Sequence, residues 1–345
     1  MGNWKNGELG DFVTLKRGFD LPQQKREDGQ VPIFSSSGIT GTHSTAMVKA
    51  PGVITGRYGT IGEVFYAAKD FWPLNTTLFV EDFHGNDAKF IYYFLKTLEW
   101  SKFTSASAVP GINRNTVHKE IVSLPDIETQ RRIASTLSMF DEKIKINTEI
   151  NDNLQQQAQA IYSSMFIDNP DPAWSHGHLS DLITVKYGKD HKKLADGIYP
   201  VYGSGGIMRY VERPLYNKES VLIPRKGTLN NVMYVNQPFW SVDTMFYTEM
   251  KLPNVAKFVY HFVKAKDLAS MNAGSAVPSM TTDILNAMEV VIPSASALEE
   301  FESLVAPMYE AMEANDVQSK ALPQMRDTLL PKLMSGEIDV SDIQL

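Results

Sequence analysis

Two short turns that contain arginine are the first candidates for chemistry in this sequence. Residues 56–60 have the sequence GRYGT and residues 224–228 have PRKGT, and each follows a β-branched stretch that predicts a strand. Arginine can form two hydrogen bonds to guanine in the major groove of DNA, and lysine or threonine can bind phosphate. A solvated turn is the alternative interpretation. The candidate DNA contacts in these turns are Arg57, Tyr58, Thr60, Arg225, Lys226 and Thr228.

Two segments rich in serine and glycine, residues 32–38 (PIFSSSG) and 200–206 (PVYGSGG), resemble phosphate-binding loops. Neither has the GxxxxGK[ST] pattern or a GxGxxG that opens a helix, so nucleotide binding is not predicted. We interpret both as turns or as loops that face DNA, with Ser36 and Ser204 as candidate contacts.

A further pair of loops, residues 109–116 and 277–283, shares a Val-Pro start but differs in its polar side chains. The first contains Asn113 and Arg114, whereas the second contains Thr281. This difference predicts two similar domains that recognise unlike DNA half-sites. Neutral drift in a loop is the alternative.

The run at residues 187–193 (YGKDHKK) is basic and begins with an aromatic residue. Its Lys192 and Lys193 could follow a DNA backbone and give salt-dependent affinity. A solvated charged face is the alternative. The counterpart of this run in the first half of the chain extends from residues 16–19 (KRGF) to Lys25 and Arg26.

Signatures of catalysis are missing from the sequence. We find no GxSxG, no Walker loop and no [DNS]PP[FYW] motif of amino-methyltransferases. The chain has no cysteine, which excludes disulfides and zinc ribbons, and its seven histidines show no HExxH spacing. We therefore predict no catalytic residues, no metal site and no cofactor in this chain.

The chain contains an internal repeat, which organises these candidates. Residues 9–18 (LGDFVTLKRG) recur as residues 179–188 (LSDLITVKYG) at an offset of 170, and from Pro32 onward the offset is 168. Each copy has short predicted strands followed by one helix, at residues 88–101 and 256–269, which predicts an α+β domain. Duplication of one unit explains the pattern.

A long helix is predicted after each domain, because residues 128–165 carry apolar or core-sized residues at alternating spacings of four and three. The same seam recurs 168 residues later.

Pro307, Pro323 and Pro331 are expected to kink or split the second helix, and Gly336 is expected to end it. An antiparallel pair would place Asn147 and Asn151 against Ser319 and Asn315 in a central polar layer; solvated side chains without such a role are the alternative. The seam residues are Ile133, Leu137, Phe140, Ile144, Asn147, Asn151, Leu154, Phe301, Val305, Met308, Met312, Asn315, Ser319 and Leu322.

The net charge of −7 and the pI near 5.6 do not by themselves suggest a nucleic-acid partner. The acidic excess, however, falls in the two helical segments, and the domains between them are near neutral or slightly basic. No apolar window is long enough for a membrane span, and the first residues lack the apolar run of a signal peptide. A cytoplasmic location is predicted.

The helical phrases QRRIASTLSMFDEKI (residues 130–144) and RDTLLPKLMSGEI (residues 326–338), together with the order domain, helix, domain, helix, resemble the specificity subunit of type I restriction-modification systems. This resemblance covers nearly the whole chain. It implies that each domain recognises one half of a bipartite DNA target and that the helices set the distance between the halves. The two repeats differ in charge at one place, because QRRI at residues 130–133 corresponds to LEEF at residues 298–301. This difference is a departure from the pattern of the family.

The resemblance also implies partners. Two modification subunits would methylate the exocyclic amine of adenine with S-adenosylmethionine, and a restriction subunit would use ATP and Mg²⁺ for cleavage. The departure at residues 298–301 leaves equal affinity for the two modification subunits in doubt.

The resulting prediction is an α+β chain with two similar target-recognition domains, two long antiparallel coiled-coil helices and an internal pseudo-twofold repeat. The chain would be a DNA-binding subunit without catalytic activity. Its alternatives are a DNA-cleaving or DNA-modifying enzyme in its own right and a coiled-coil scaffold without a DNA role. The predicted segments are residues 1–127, a first target-recognition domain; 128–168, a spacer helix; 169–296, a second target-recognition domain; and 297–345, a C-terminal spacer helix.

Overall fold

The computed structural model describes residues 3–104, 110–271 and 279–340. The chain forms two compact units, Met1–Asn147 with Asp316–Leu345, and Thr148–Asn315. Each unit therefore contains one globular part and a portion of both long helices. The predicted division into four segments stays a prediction. Two of the predicted loops are only partly described: residue 109 of the 109–116 loop and residues 277–278 of the 277–283 loop lie outside the described residues.

The first globular part is built from short strands and short helices. The strands are β1 (Lys5–Glu8), β2 (Thr14–Arg17), β3 (Val31–Ser35), β4 (Gly38–His43), β5 (Gly52–Gly56), β6 (Val64–Ala67), β7 (Trp72–Pro73), β8 (Thr77–Asp82) and β9 (Ile121–Leu124). The helices are α1 (Leu9–Phe12), α2 (Ala88–Thr97) and α3 (Arg114–His118), with 3₁₀ turns at Gln23–Lys25 and Trp100–Phe103. The first long helix, α4 (Ile127–Ser163), follows and ends in a π-helical turn at Ser164–Asp168.

Three sheets form in this part, with the strand orders β2-β8-β5-β6, β4-β3-β7 and β1-β9. The pairings are antiparallel except that of β3 with β7. All five residues of β5 are buried, as expected of a central strand covered on both faces. Helix α2 begins at its cap Asp87, whose carboxylate accepts a hydrogen bond from the Phe90 amide, and its apolar face joins the core of the sheet.

The second globular part repeats this arrangement. Its strands are β10 (Ser175–His178), β11 (Ile183–Tyr187), β12 (Asp196–Gly203), β13 (Gly206–Val211), β14 (Ser220–Pro224), β15 (Met233–Val235), β16 (Trp240–Ser241), β17 (Met245–Met250) and β18 (Glu289–Ile292). The helices are α5 (Leu179–Leu182), α6 (Ala256–Lys264), α7 (Thr282–Asn286) and the second long helix α8 (Ala295–Met334). The sheet orders β11-β17-β14-β15, β13-β12-β16 and β10-β18 match those of the first part strand for strand. The α+β class and the internal repeat are confirmed.

The two long helices pair antiparallel in each unit, as predicted. In the first unit, Nδ2 of Asn147 donates to Oγ of Ser319 at 3.1 Å and to Oε1 of Gln318 at 3.0 Å. In the second unit, Nδ2 of Asn315 donates to Oδ1 of Asn151 at 2.8 Å. All fourteen predicted seam side chains are buried or half-buried. The polar layer is confirmed.

Three predictions about the helices are corrected: the split of α8 and the ends of α2 and α6. Helix α8 is not split at its three prolines, since it is continuous from Ala295 to Met334, and packing of an apolar face can stabilise a helix against lost backbone hydrogen bonds. The predicted kink stays a prediction. Helix α8 ends at Met334, and Gly336 has a φ of +75°, which confirms the predicted stop. Helix α2 ends at Thr97 and α6 at Lys264, each earlier than predicted, since extended backbone or turns follow.

Candidate nucleic-acid interface

The Arg57 turn extends from the end of β5 and is held by backbone hydrogen bonds on both sides. The amides of Arg57 and Tyr58 donate to the carbonyl of Thr76 at 2.8 and 3.2 Å, and the Ile112 amide donates to the Arg57 carbonyl at 3.0 Å. The two loops that the sequence identified separately, residues 56–60 and the described part of 109–116, are therefore neighbours.

An open groove of about 630 Å³ lies between these loops and the end of β2. Four cationic side chains line it, and none of its described lining residues carries a carboxylate. Gly111 is required at its edge, because a Cβ there would lie 2.2 Å from the ring of Tyr58. The groove thus has the charge expected of a surface that binds DNA phosphates. The lining residues that carry charge or an aromatic ring are Lys16, Arg17, Arg57, Tyr58 and Arg114.

Three of the four cations of this groove are restrained only weakly. The Arg57 guanidinium lies 4.6 Å from the centre of the Tyr58 ring. Lys16 is paired with Glu81 on the surface, and Arg17 lies 3.3 Å from Asp20 with both side chains at least half exposed. Exposed pairs of this kind contribute about 0–1 kcal/mol, so phosphates can compete for these cations.

His118 connects helix α3 to the strand that bears Lys16. Its Nε2 accepts a hydrogen bond from the Leu15 amide at 2.9 Å, which requires that nitrogen to be unprotonated. Burial, followed by the charges of Arg114 and His84, lowers the pKa of His118. A neutral His118 therefore fixes the position of α3, and with it Arg114, against β2.

The second unit builds the same turn after β14. The amides of Arg225 and Lys226 donate to the Thr244 carbonyl at 2.8 and 3.2 Å, and the Met280 amide donates to the Arg225 carbonyl at 2.9 Å. The scaffold is the same as in the first unit, and the side chains on it differ.

The tyrosine that stacks on the arginine comes from a different place in the chain in each unit. The Arg225 guanidinium lies 5.3 Å from the ring centre of Tyr187, at the end of β11. Tyr187 occupies the position of Arg17 in the repeat, whereas Lys226 occupies the position of Tyr58. Each unit thus combines an arginine, a tyrosine and a second cation, but in a different arrangement. Arg17 and Tyr187 lie in the two runs that the sequence indicated, but neither was a predicted DNA contact, although the repeat offset of 170 aligns them.

The remaining candidates fall into two groups. Ser36 and Ser204 touch the arginine turns, because a Cβ on Gly59 or Gly227 would lie 3.2 or 2.7 Å from their Oγ atoms. Thr60 and Thr228 are exposed at the ends of those turns, and Lys192 and Lys193 are exposed in the loop that follows β11.

Asn113 and Thr281 occupy equivalent positions and cap short helices. Oδ1 of Asn113 accepts from the Asn115 amide at 3.0 Å, and Oγ1 of Thr281 accepts from the Ile284 amide at 3.3 Å. Both side chains thus have a structural role, and their predicted contact with DNA stays a prediction.

Residues 3–104, 110–271 and 279–340 contain neither a metal-ligand cluster nor a membrane-spanning helix. No three acidic or histidine side chains there are grouped so that they could hold a metal ion. None of the helices in that part of the chain combines the length and the apolar character needed to cross a membrane.

The chain was compared with known proteins. The family model of the type I restriction modification DNA specificity domain matches residues 1–156 and 173–300. The MjaIX type I restriction enzyme specificity subunit of Methanocaldococcus jannaschii is 24% identical over 307 residues, covering 75% of this chain and 71% of that protein. The HindI specificity subunit of Haemophilus influenzae is 21% identical over 357 residues, covering 70% and 75%.

A solved structure has the same fold. The S subunit of a type I restriction-modification system from M. genitalium aligns over 96% of both chains with a TM-score of 0.64, at 20% sequence identity. The family model covers well over half of the sequence, with one matched segment in each repeat. This chain belongs to the family of type I restriction-modification specificity subunits.

Proposed function

We propose that the chain is the sequence-specific DNA-binding subunit of a type I restriction-modification complex and that it recognises a bipartite target. The observation that carries this proposal is the duplicated arginine turn, held by the same backbone hydrogen bonds in both units. A cationic groove beside the first turn supplies attraction to phosphates, and the arginine itself can contact a base.

The two half-sites are expected to differ in sequence. The first unit presents Arg17, Tyr58 and Arg114, where the second presents Tyr187, Lys226 and Thr282. The same scaffold therefore offers different donors and a differently placed ring to DNA. This supports a target with unlike halves over a symmetric palindrome.

The long helices are proposed to set the spacing and to dock two modification subunits. The helix starts differ in charge, since Arg131 is exposed on α4 and Glu299 and Glu300 are exposed on α8. The two subunits would then bind with unequal affinity. Methylation, with S-adenosylmethionine and an adenine flipped out of the duplex, would occur in those partners, and ATP and Mg²⁺ would act with a restriction subunit.

Mapping of methylated adenines tests the proposal. Genomic DNA from cells with the complete system, and from cells lacking only this chain, should differ by one bipartite motif. Identical methylation would contradict it. The purified chain incubated alone with DNA, Mg²⁺ and S-adenosylmethionine should show no turnover, and cleavage or methylation would favour an independent enzyme.

Alanine variants of the two arginines should separate the half-sites. In the complex with modification subunits, Arg57→Ala should weaken binding through one half-site and Arg225→Ala through the other, each by about 1 to 3 kcal/mol. Binding is measured with duplexes in which one half-site at a time is scrambled. A loss that is uniform for all sequences would assign both arginines to phosphate contacts.

Two exposed cations serve as controls. Lys69 follows β6 at the end that pairs with Gly52, and Arg213 precedes β14, so each lies at the strand end opposite its arginine turn. Lys69→Ala and Arg213→Ala should leave both half-site affinities unchanged.

A further inference from the structure

Each unit has a hairpin whose tip carries an exposed isoleucine. The hairpin of β3 and β4 turns at Ser36, and that of β12 and β13 turns at Ser204. Ile39 is 63% exposed and Ile207 is 40% exposed. Ile39 pairs with Phe34 of β3, and Ile207 pairs with Tyr202 of β12, which is the equivalent position of the second unit.

Each hairpin tip touches an arginine turn. The Oγ atoms of Ser36 and Ser204 lie against Gly59 and Gly227, as described above. In the second unit, Nδ2 of Asn231 also donates to the carbonyl of Ser204 at 2.8 Å. The isoleucines therefore lie three residues after the serines that contact the arginine turns.

A single exposed isoleucine is common on protein surfaces and carries no argument by itself. Here the same residue type recurs at the equivalent position of both units, although the residues after it differ: Thr40 and Thr42 correspond to Met208 and Tyr210. Adjacent positive charge indicates that the partner which covers these side chains is anionic. In the major groove of DNA, the apolar group on a base edge is the C5-methyl of thymine.

We propose that Ile39 and Ile207 each contact the methyl group of a thymine in their half-site. This inference rests on the proposed function. In the second unit, Met208 is 61% exposed and Tyr210 is 42% exposed on the same edge strand, β13. Its half-site therefore has the larger apolar contact.

The test replaces thymine with uracil, which removes only the methyl group. The bipartite motif is first mapped from methylated DNA, and duplexes are made in which all thymines of one half-site are deoxyuridine. The complex of this chain with its modification subunits should bind each substituted duplex about fourfold more weakly, as expected for one buried methyl-sized group. Ile39→Ala should remove this sensitivity for one half-site only, and Ile207→Ala for the other.

Matched controls come from isoleucines at other exposed places. Ile198 is 78% exposed in β12, six residues before Ser204, or about 20 Å along a strand. Ile121 is 71% exposed in β9 of the first unit. Ile198→Ala and Ile121→Ala should keep the wild-type sensitivity to uracil. Since all four side chains are exposed, the variants should fold normally.

Several outcomes would overturn the inference. Equal binding of thymine and uracil duplexes by the wild-type complex, or undiminished sensitivity in Ile39→Ala and Ile207→Ala, contradicts it. Loss of modification-subunit binding in those variants, with sensitivity to uracil retained, would assign the hairpin tips to a protein partner. A wild-type complex that binds no specific DNA would instead refute the proposed function.

Discussion

Two equivalent residues, Tyr93 and His261, connect each globular part to both long helices. In the first unit, the hydroxyl of Tyr93 donates to Asp141 of α4 at 2.6 Å, and Asp141 is paired with Arg326 of α8. In the second unit, Nδ1 of His261 lies 2.8 Å from Oε1 of Gln159. Both units thus have a polar connection at this position, but different side chains form it.

His261 is neutral in the folded chain. Its side chain is fully buried, Nδ1 donates to Gln159, and Nε2 accepts from the hydroxyl of Tyr309 at 2.9 Å. Burial lowers the pKa of His261 from 6.5 to about 4.

The second unit should therefore lose stability in mild acid. Between pH 6.5 and pH 4 the unfolded chain binds a proton at His261 that the folded chain does not. The contribution of neutral His261 to the free energy of unfolding is therefore complete above pH 6.5 and decreases as the pH falls towards 4. The loss at pH 5 is on the order of 2 kcal/mol. Urea unfolding at pH 7.5 and pH 5 measures it.

His261→Gln removes the titrating group, so its free energy of unfolding should change less between the two pH values. His176→Gln, at an exposed residue of β10, should keep the wild-type difference. An unchanged difference in His261→Gln would show that another group is responsible.

At the scale of elements, the polar layer of the long helices is expected to act as one energetic unit. Asn315 donates to Asn151, and Nδ2 of Asn151 also donates to the Met312 carbonyl at 3.2 Å. Asn151→Leu or Asn315→Leu alone should cost about 1 to 3 kcal/mol, because each removes the hydrogen bond that joins two half-buried amides. The double leucine variant should lose less than the sum, since an apolar pair suits a helix seam.

A double-mutant cycle in urea measures the coupling. Asn153→Leu, on the exposed side of α4, is the control and should change the free energy of unfolding by less than about 0.5 kcal/mol. Additive effects of the two seam substitutions would mean that the layer does not fix the register.

At the scale of the whole molecule, helix length is expected to set the gap in the DNA target. Duplicating residues 148–154 in α4 and 312–318 in α8 adds one heptad to each helix, or about 10.5 Å. This corresponds to about three base pairs at 3.4 Å each. The methylated motif should gain a longer gap and keep both half-sites.

Duplicating residues 148–154 alone is the control. The helices would then differ in length, their polar partners could not align, and both stability and methylation should fall. A motif with an unchanged gap in the variant with both duplications would refute the spacer role.

The sequence by itself determined the duplication, most element types, the helix seam and the facing of Asn147 and Asn151 by Ser319 and Asn315. These features follow from spacing along the chain: a heptad period defines a helix face, and a constant offset of 168 defines which positions are equivalent.

Only the tertiary structure decided which side chains of the globular parts meet distant partners. Tyr187 lies on Arg225 because β11 and β14 both pair with β17, and His261 meets Gln159 because α6 packs on the long helices. Packing also kept α8 intact through Pro307, Pro323 and Pro331, against their local preference. Such contacts depend on strand order and helix packing, which no local pattern encodes.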